Sequence, residues 1–317
     1  MSTLLSPSGR LISLTLSALL TGTGVGGNLF IIICNIMKRA DNQKAQLGNA
    51  LITWITVCCL AMDVSSFLLH FFVFRLHFCP FTSNEIKIIT FVVFITSNWE
   101  FWLIASLCIF YCLTVVTFKS KLLIVAKQNI SALIWCGVVL GFVISLLEAF
   151  LVTRMTAKSG NDTSTIPMAS NFSCPQVYMP QIEKIFLNGT LSIQFLVTTS
   201  LMISACGVLS YCLRGHVRHL EQSSFGLTAS SQENLTRITK MISALALEFI
   251  VSTTCVTIPN IFSQYTEISV MFLNLVCNIL GLIIPTTLIL GILSLKKKAA
   301  GVLKCGRTET QNSPSLN

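Results

Sequence analysis

Charged residues are scarce in this sequence. Only 10% of its 317 residues are Asp, Glu, Lys or Arg, whereas 53% are hydrophobic and the mean hydropathy is +0.77. A soluble domain carries about 25% charged residues, so this composition cannot cover a surface that faces water. The net charge of +9 does not indicate a nucleic-acid partner, because the basic residues flank long apolar segments. We therefore expect a membrane protein.

Residue patterns of enzymes and metal sites are also lacking. No HExxH, GxSxG or Walker sequence occurs, and no paired carboxylates suggest acid–base catalysis. No CxxC or CxxH spacing indicates zinc. Most of the 13 cysteines lie within apolar segments, where a thiol packs as a small hydrophobic group. We expect no enzymatic activity, no metal and no cofactor.

Long apolar segments are abundant. A membrane-spanning helix needs about 20 mostly apolar residues, because lipid offers the backbone no hydrogen-bond partner. We predict an all-α bundle of seven transmembrane helices over residues 1–306, followed by a disordered cytoplasmic tail over 307–317. The predicted spans are about 11–37, 47–72, 88–118, 131–152, 185–213, 241–259 and 268–295, with an amphipathic helix at about 296–305.

The distribution of Lys and Arg predicts the orientation. Fifteen of the 21 basic residues lie in segments on the side of the carboxyl terminus. Because cytoplasmic loops are enriched in Lys and Arg, we expect an extracellular amino terminus and a cytoplasmic carboxyl terminus in the cell membrane.

The predicted outer loops carry sites of modification. The sequons at Asn161, Asn171 and Asn188 fall in or near the long loop after the fourth span, so we expect N-glycosylation there. Cys79 and Cys174 are the cysteines of the outer loops. A disulfide between them would join the first outer loop to the second, and two separate thiols are the alternative.

Four acidic residues lie within predicted spans: Asp63, Glu100, Glu148 and Glu248. An ionisable group inside a membrane is costly and commonly functional. A proton-linked transporter could use such acids, although no internal repeat typical of transporters is visible. We expect Asp63, Glu100 and Glu248 to face the bundle interior, in polar networks or in a conformational switch, and Glu148 to face water near the outer end.

Three segments carry more specific patterns. They are Gly27-Asn28-Leu29-Phe30-Ile31; a run with Trp102, Leu107, Phe110, Tyr111, Leu113, Phe118, Ser120, Leu122, Leu123, Lys127 and Ile130; and Leu288-Ile289-Leu290-Gly291 with Leu295-Lys296-Lys297-Lys298-Ala299. Together they resemble the bitter taste receptors (taste receptor type 2), which are G protein-coupled receptors. The vomeronasal type 1 receptors are the near alternative.

The sequence also departs from the family pattern. Val64 stands where the family usually has an Arg, and Asp63 replaces the neighbouring Ser. Pro285 stands where the seventh span of the family has a Ser. The chain therefore resembles a divergent member, from a non-mammalian vertebrate.

The resemblance implies a chemosensory receptor with an outer pocket for a small organic agonist. By alignment to the family, the residues that face this pocket are Thr90, Val93, Phe94, Ser97, Thr254, Cys255, Ile258, Val270, Asn274 and Cys277. The family often has a Trp at the position of Val93 and an acid at that of Asn274. Their absence favours a neutral, apolar ligand.

The resemblance also implies activation of a heterotrimeric G protein at the inner face. The residues expected to face the G protein are Tyr111, Lys119, Lys121, Lys127, Arg214, His216, Arg218, Arg237 and Lys240. Basic residues there also suit anionic lipid headgroups, and the positive-inside topology alone accounts for them without a protein partner.

Overall fold

The computed structural model describes residues 7–37, 43–75, 84–116, 120–154, 156–157, 177–178, 181–222, 229–262, 267–292, 295, 297 and 301. These residues form the helices α1 (Pro7–Ile36), α2 (Gln43–Arg75), α3 (Asn84–Val115), α4 (Lys121–Gln128), α5 (Ile130–Thr153), α6 (Gln181–Gln222), α7 (Ala229–Phe262) and α8 (Glu267–Gly291). Between α5 and α6, the two-residue strands β1 (Thr156–Ala157) and β2 (Val177–Tyr178) pair antiparallel, with Thr156 opposite Tyr178.

Seven of the described helices are long, and α4 has only eight residues. Five of them contain segments long and apolar enough to cross a membrane: Leu14–Ile36, Gln46–Phe72, Asn84–Val115, Ile130–Thr153 and Gln181–Cys212. Helix α8 contributes the shorter apolar segment Leu275–Gly291. Helix α7 carries the charged residues Glu233, Arg237 and Lys240 in its first half and Glu248 in its second. The predicted all-α bundle with seven long helices is confirmed.

Several helices extend beyond the predicted apolar spans. Helix α6 continues to Gln222 and α7 already begins at Ala229, because a helix need not end where the hydrocarbon layer ends. The short helix α4 and the strands β1 and β2 were not predicted. Most of the predicted amphipathic helix at 296–305 and the whole tail at 307–317 lie outside the described residues.

Helix α3 occupies the centre of the bundle. It contacts α2, α5, α6 and α7, while α1 packs against α2 and α8, α8 against α7, and α7 against α6. All six side chains from Leu103 to Cys108 are buried, as expected for a helix surrounded by others. On α5, by contrast, Val139, Leu140 and Val143 are exposed on the perimeter, where lipid would cover them.

Small residues allow the helices to approach closely. Lipid tails are as apolar as leucine, so membrane helices associate mainly through packing and hydrogen bonds. Gly141 of α5 accommodates the Trp102 side chain of α3, and Gly48 of α2 faces the Phe110 ring. A methyl group at Gly27 of α1 would lie 3.3 Å from Cβ of Pro285 in α8.

Pro285 lies inside α8. Proline has no backbone N–H, so the carbonyl group four residues earlier, at Gly281, loses its usual partner within the helix. That carbonyl oxygen lies against α1, where a methyl group at Gly24 would approach it to 2.8 Å. The close contact of α1 with α8 therefore coincides with the point where the hydrogen-bond ladder of α8 is interrupted.

Candidate functional site

Asp63 lies at the junction of α1, α2 and α8. Its side chain is fully buried, and Nδ2 of Asn28 lies 3.4 Å from its Oδ2. A methyl group at Gly281 would overlap the Asp63 carboxyl group, and one at Gly24 would lie 2.8 Å from Oδ2. Among the described residues, Oδ1 of Asp63 and Oδ1 of Asn28 have no hydrogen-bond partner. The carboxyl group fits there because two glycines leave room for it.

Glu100 of α3 is the next acidic residue in the interior. It is buried, and its Oε1 accepts a hydrogen bond from the Cys59 thiol at 2.7 Å. Cys59 precedes Asp63 by one helical turn on α2, so both side chains lie on the same face of that helix. Through Cys59, Glu100 lies close to Asp63 in one polar layer. Both acids are buried, which confirms that they face the interior.

Glu248 of α7 is half-buried. Its Oε1 accepts a hydrogen bond from Thr287 of α8 at 2.8 Å, whereas its Oε2 has no partner among the described residues. This bond links α7 to α8 near the centre of the bundle. The prediction that Glu248 faces the interior is confirmed.

Glu100 and Glu248 line the same small cavity between α3, α7 and α8. The cavity offers about 10 Å³ to the centre of a water molecule, so about one water molecule fits in it. The other lining residues are Phe101, Ile104, Leu245, Phe249, Ser252, Leu280 and Ile284. Among the described residues, this cavity has room for a water molecule but not for an organic molecule.

Glu148 of α5 does not face water, contrary to the prediction. Its side chain is completely buried against α6. With the Gln194 amide nitrogen turned toward it, that nitrogen donates to Oε1 and Oε2 of Glu148 at 3.2 and 3.0 Å. Position near a helix end did not reveal this burial, because Gln194 is distant in sequence and belongs to another helix.

A further polar cluster joins α1 to α8. The Asn278 side chain accepts a hydrogen bond from Thr21 at 3.1 Å and donates one to Ser17 at 2.8 Å. Both of its polar atoms are thus satisfied in a buried setting, which favours a single arrangement of the two helices.

The predicted inner-face residues are arranged at the end of the bundle where α3 ends and α7 begins. The Tyr111 ring lies edge-on to Phe110, with centroids 5.4 Å apart, and Arg237 pairs with Glu233 at 2.6 Å. The ammonium group of Lys127 points to the end of α3. The side chains of Lys121, Arg214 and Lys240 are exposed.

Other inner-face predictions fall on parts of the chain that are not described. Lys119 lies outside the described residues, as do the side chains of His216 and Arg218, although the backbone of both belongs to α6.

Comparison with known proteins decides which family this bundle represents. The family model described as taste receptor protein (TAS2R) matches residues 6–307. The chain belongs to this family. It is a chemosensory receptor and a multi-pass protein of the cell membrane, as the resemblance predicted.

Individual taste receptors align with most of the chain. Taste receptor type 2 member 114 of Mus musculus is 24% identical over 257 residues, covering 79% of each chain. Taste receptor type 2 member 42 of Papio hamadryas is 26% identical over 249 residues, covering 76% of each. Taste receptor type 2 member 7 of Pan troglodytes is 26% identical over 265 residues, covering 78% of each. These identities fit a divergent taste receptor.

The structure places the predicted pocket residues of this taste receptor in different surroundings. On α3, Thr90 and Val93 are buried, and Phe94 packs against Val152 of α5 and Leu187 of α6. The Ser97 hydroxyl donates to the backbone carbonyl of Val93 at 2.7 Å.

On the opposite wall, the described side chains are fewer. Thr254 is exposed and its hydroxyl donates to the Ile250 carbonyl at 2.6 Å, whereas Cys277 is buried. The side chains of Cys255, Ile258, Val270 and Asn274 lie outside the described residues. Whether all ten residues share one pocket therefore stays a prediction for this taste receptor.

Most of the predicted modification sites of the taste receptor lie outside the described residues. Asn161, Asn171, Cys79 and Cys174 are outside the described residues. Asn188 is exposed on α6, inside the apolar segment Gln181–Cys212. Its sequon Thr190 donates its hydroxyl to the Leu187 carbonyl at 2.9 Å, so this sequon is part of a helix.

Proposed function

We propose that this taste receptor detects small organic molecules of the bitter type and activates a heterotrimeric G protein. The observation that carries this proposal is the family match over residues 6–307, on a chain folded as seven long helices around α3. The exposed basic side chains of Lys121, Arg214 and Lys240 support a partner at one end of the bundle. In the proposed orientation this end is cytoplasmic.

Ligand binding on the outer side would act through a shift between two conformations. An agonist that binds one conformation more tightly raises its population, and the G protein binds the same conformation. The buried acids Asp63 and Glu100 lie between the proposed outer pocket and the inner face, where a shift in helix packing would change their surroundings.

The proposed ligand is neutral and largely apolar. Val93 and Cys277 contribute buried apolar surface, and binding sites for small molecules are mostly apolar. The carboxyl groups of Glu100 and Glu248 line a cavity that has room for about one water molecule, too small for the amine of an organic cation with its substituents.

Calcium responses test both parts of the proposal. Cells would express the tagged receptor with a promiscuous G protein and be exposed to a panel of neutral and amine-containing bitter compounds. We expect neutral compounds to evoke calcium signals that vanish when the G protein is omitted. Activation by charged amines alone would contradict the ligand class. Accumulation of a compound without any G protein would favour a proton-linked transporter instead.

Topology and modification have their own tests. Tags at the two termini should be accessible on opposite faces of intact cells, with the amino-terminal tag outside. Glycosidase treatment should reduce the apparent mass through Asn161 and Asn171, and less through Asn188, which lies within a helix. Replacement of Cys79 or Cys174 by Ser should remove one thiol cross-link detectable under non-reducing conditions.

A further inference from the structure

Lys127 makes two hydrogen bonds to the end of α3. Its Nζ donates to the Val116 carbonyl oxygen at 2.9 Å and lies 3.4 Å from that of Thr114. The last carbonyl groups of a helix have no partner within the helix and form the negative end of its dipole. A lysine ammonium at this place satisfies those carbonyls and matches their charge.

Lys127 belongs to α4, a short helix that lacks a side-chain cap at its amino-terminal end. Ser120, the residue before α4, makes no side-chain capping bond to the helix. Leu123, Ile124 and Val125 are exposed along it. Among the described side chains, it is Lys127 that connects α4 to α3 by hydrogen bonds.

We propose that Lys127 is a positioning residue for G protein activation. Its ammonium group holds α4 across the carboxyl end of α3 and thereby sets the shape of the inner surface that the G protein binds. Because the Lys127 side chain points to the α3 carbonyls, its effect on the G protein is exerted through the placement of α4. This inference rests on the proposed coupling to a G protein.

Substitutions at Lys127 separate this role from a general effect of charge. Lys127→Met keeps an unbranched side chain of similar length but removes the donors, Lys127→Gln keeps one neutral donor group, and Lys127→Arg keeps both charge and donors. Lys297→Met is the charge-matched control, since Lys297 is an exposed lysine on the same side of the predicted topology.

The first readout is nucleotide exchange on a purified heterotrimeric G protein by membranes with matched amounts of surface receptor. It is measured without agonist and with a compound that activates the wild type in the calcium screen. We expect Lys127→Met to lower the exchange rate about fivefold and Lys127→Gln to lower it less, since charged hydrogen bonds are stronger than neutral ones. Lys127→Arg should retain most activity, and Lys297→Met should match the wild type.

The second readout does not need the G protein. Hydrogen exchange of the backbone amides of residues 120–129 is measured on the purified receptor in detergent. We expect faster exchange in Lys127→Met and wild-type protection in Lys127→Arg. A wild type that activates no G protein would refute the proposed function, while the exchange data would still decide whether Lys127 holds α4.

Two results would overturn the inference. One is wild-type nucleotide exchange and wild-type amide protection in Lys127→Met. The other is equal impairment of Lys127→Met and Lys297→Met, which would assign the effect to the total positive charge of the inner face.

Discussion

Asp63 and Glu148 are both completely buried carboxyl groups, yet their surroundings differ. With the Gln194 amide nitrogen turned toward it, Glu148 accepts hydrogen bonds on both of its oxygens. Asp63 has one long contact from Asn28, and the backbone of Gly24 and Gly281 surrounds it. Hydrogen bonds thus accommodate the Glu148 carboxyl group, whereas the space left by the two glycines accommodates that of Asp63. The comparison teaches that buried acids of one bundle need not share a role.

The largest effect is expected from filling the space that Asp63 occupies. In Gly281→Ala the new methyl group overlaps the Asp63 carboxyl group, and α8 has to move away from α2. Because overpacking of a dense interior costs about 1–3 kcal/mol or more, we expect surface expression to fall about tenfold. Flow cytometry with an amino-terminal tag measures it.

Two further variants test the cause of that loss. Gly26→Ala should be harmless, since nothing lies within 4 Å of a methyl group there. Asp63→Ala should partly restore expression to Gly281→Ala by vacating the space. Normal expression of the single variant Gly281→Ala would show that the close fit between Gly281 and Asp63 is not required.

A smaller loss of stability is expected at Glu148, whose carboxyl group is accommodated by hydrogen bonds. Glu148→Leu leaves the Gln194 amide buried without its partner, which costs about 1–3 kcal/mol. The melting temperature of the purified receptor in detergent should fall, and Gln194→Leu in the same chain should restore much of it. A double variant no more stable than Glu148→Leu would argue against the pair.

Replacing the ionisable carboxyl group of Asp63 without changing its size should change stability with the opposite sign. Asp63→Asn keeps the shape that the two glycines accommodate and removes a group that is costly in an apolar interior. We expect the free energy of unfolding to rise by about 1 kcal/mol, because an ionisable group with few partners is costly in an apolar interior. Glu148→Gln, whose carboxyl group is well bonded, should gain less. A lower melting temperature for Asp63→Asn would contradict this view.

The smallest effect is expected at Glu248, which is intermediate between the two acids. Thr287→Val removes the hydroxyl that donates to Glu248 and preserves the side-chain shape, so a loss of about 0.5–1.5 kcal/mol is expected. Thr286→Val is the matched control, because the exposed Thr286 hydroxyl donates to the Leu282 carbonyl of its own helix. Equal melting temperatures for the two variants would indicate that the Thr287 bond adds no stability.

The sequence predicted the long helices, which follow from the apolar environment of the membrane. Seven apolar segments predicted seven long helices, since a backbone in hydrocarbon must satisfy its own hydrogen bonds. The interior location of Asp63, Glu100 and Glu248 and the taste receptor family were also predicted. Helix α4 was missed because eight residues at a membrane surface produce no long apolar run.

Hydrogen-bond partners on different helices could not be predicted from the sequence. The pairs Glu148–Gln194 and Glu248–Thr287 join residues on different helices, and no local pattern shows which helix faces join. The inward orientation of Lys127 depends likewise on how α4 folds back against α3. The ligand class, the disulfide and the glycosylation sites stay predictions.

The proline of α8 has a mechanical consequence. A helix bends most easily where a ladder bond is missing, and Pro285 removes the bond to Gly281, the residue against which Asp63 packs. Pro285 therefore makes the level of Asp63 the point at which α8 bends most easily. A tilt of the amino-terminal half of α8 would open or close the space around Asp63 while the carboxyl-terminal half stayed in place.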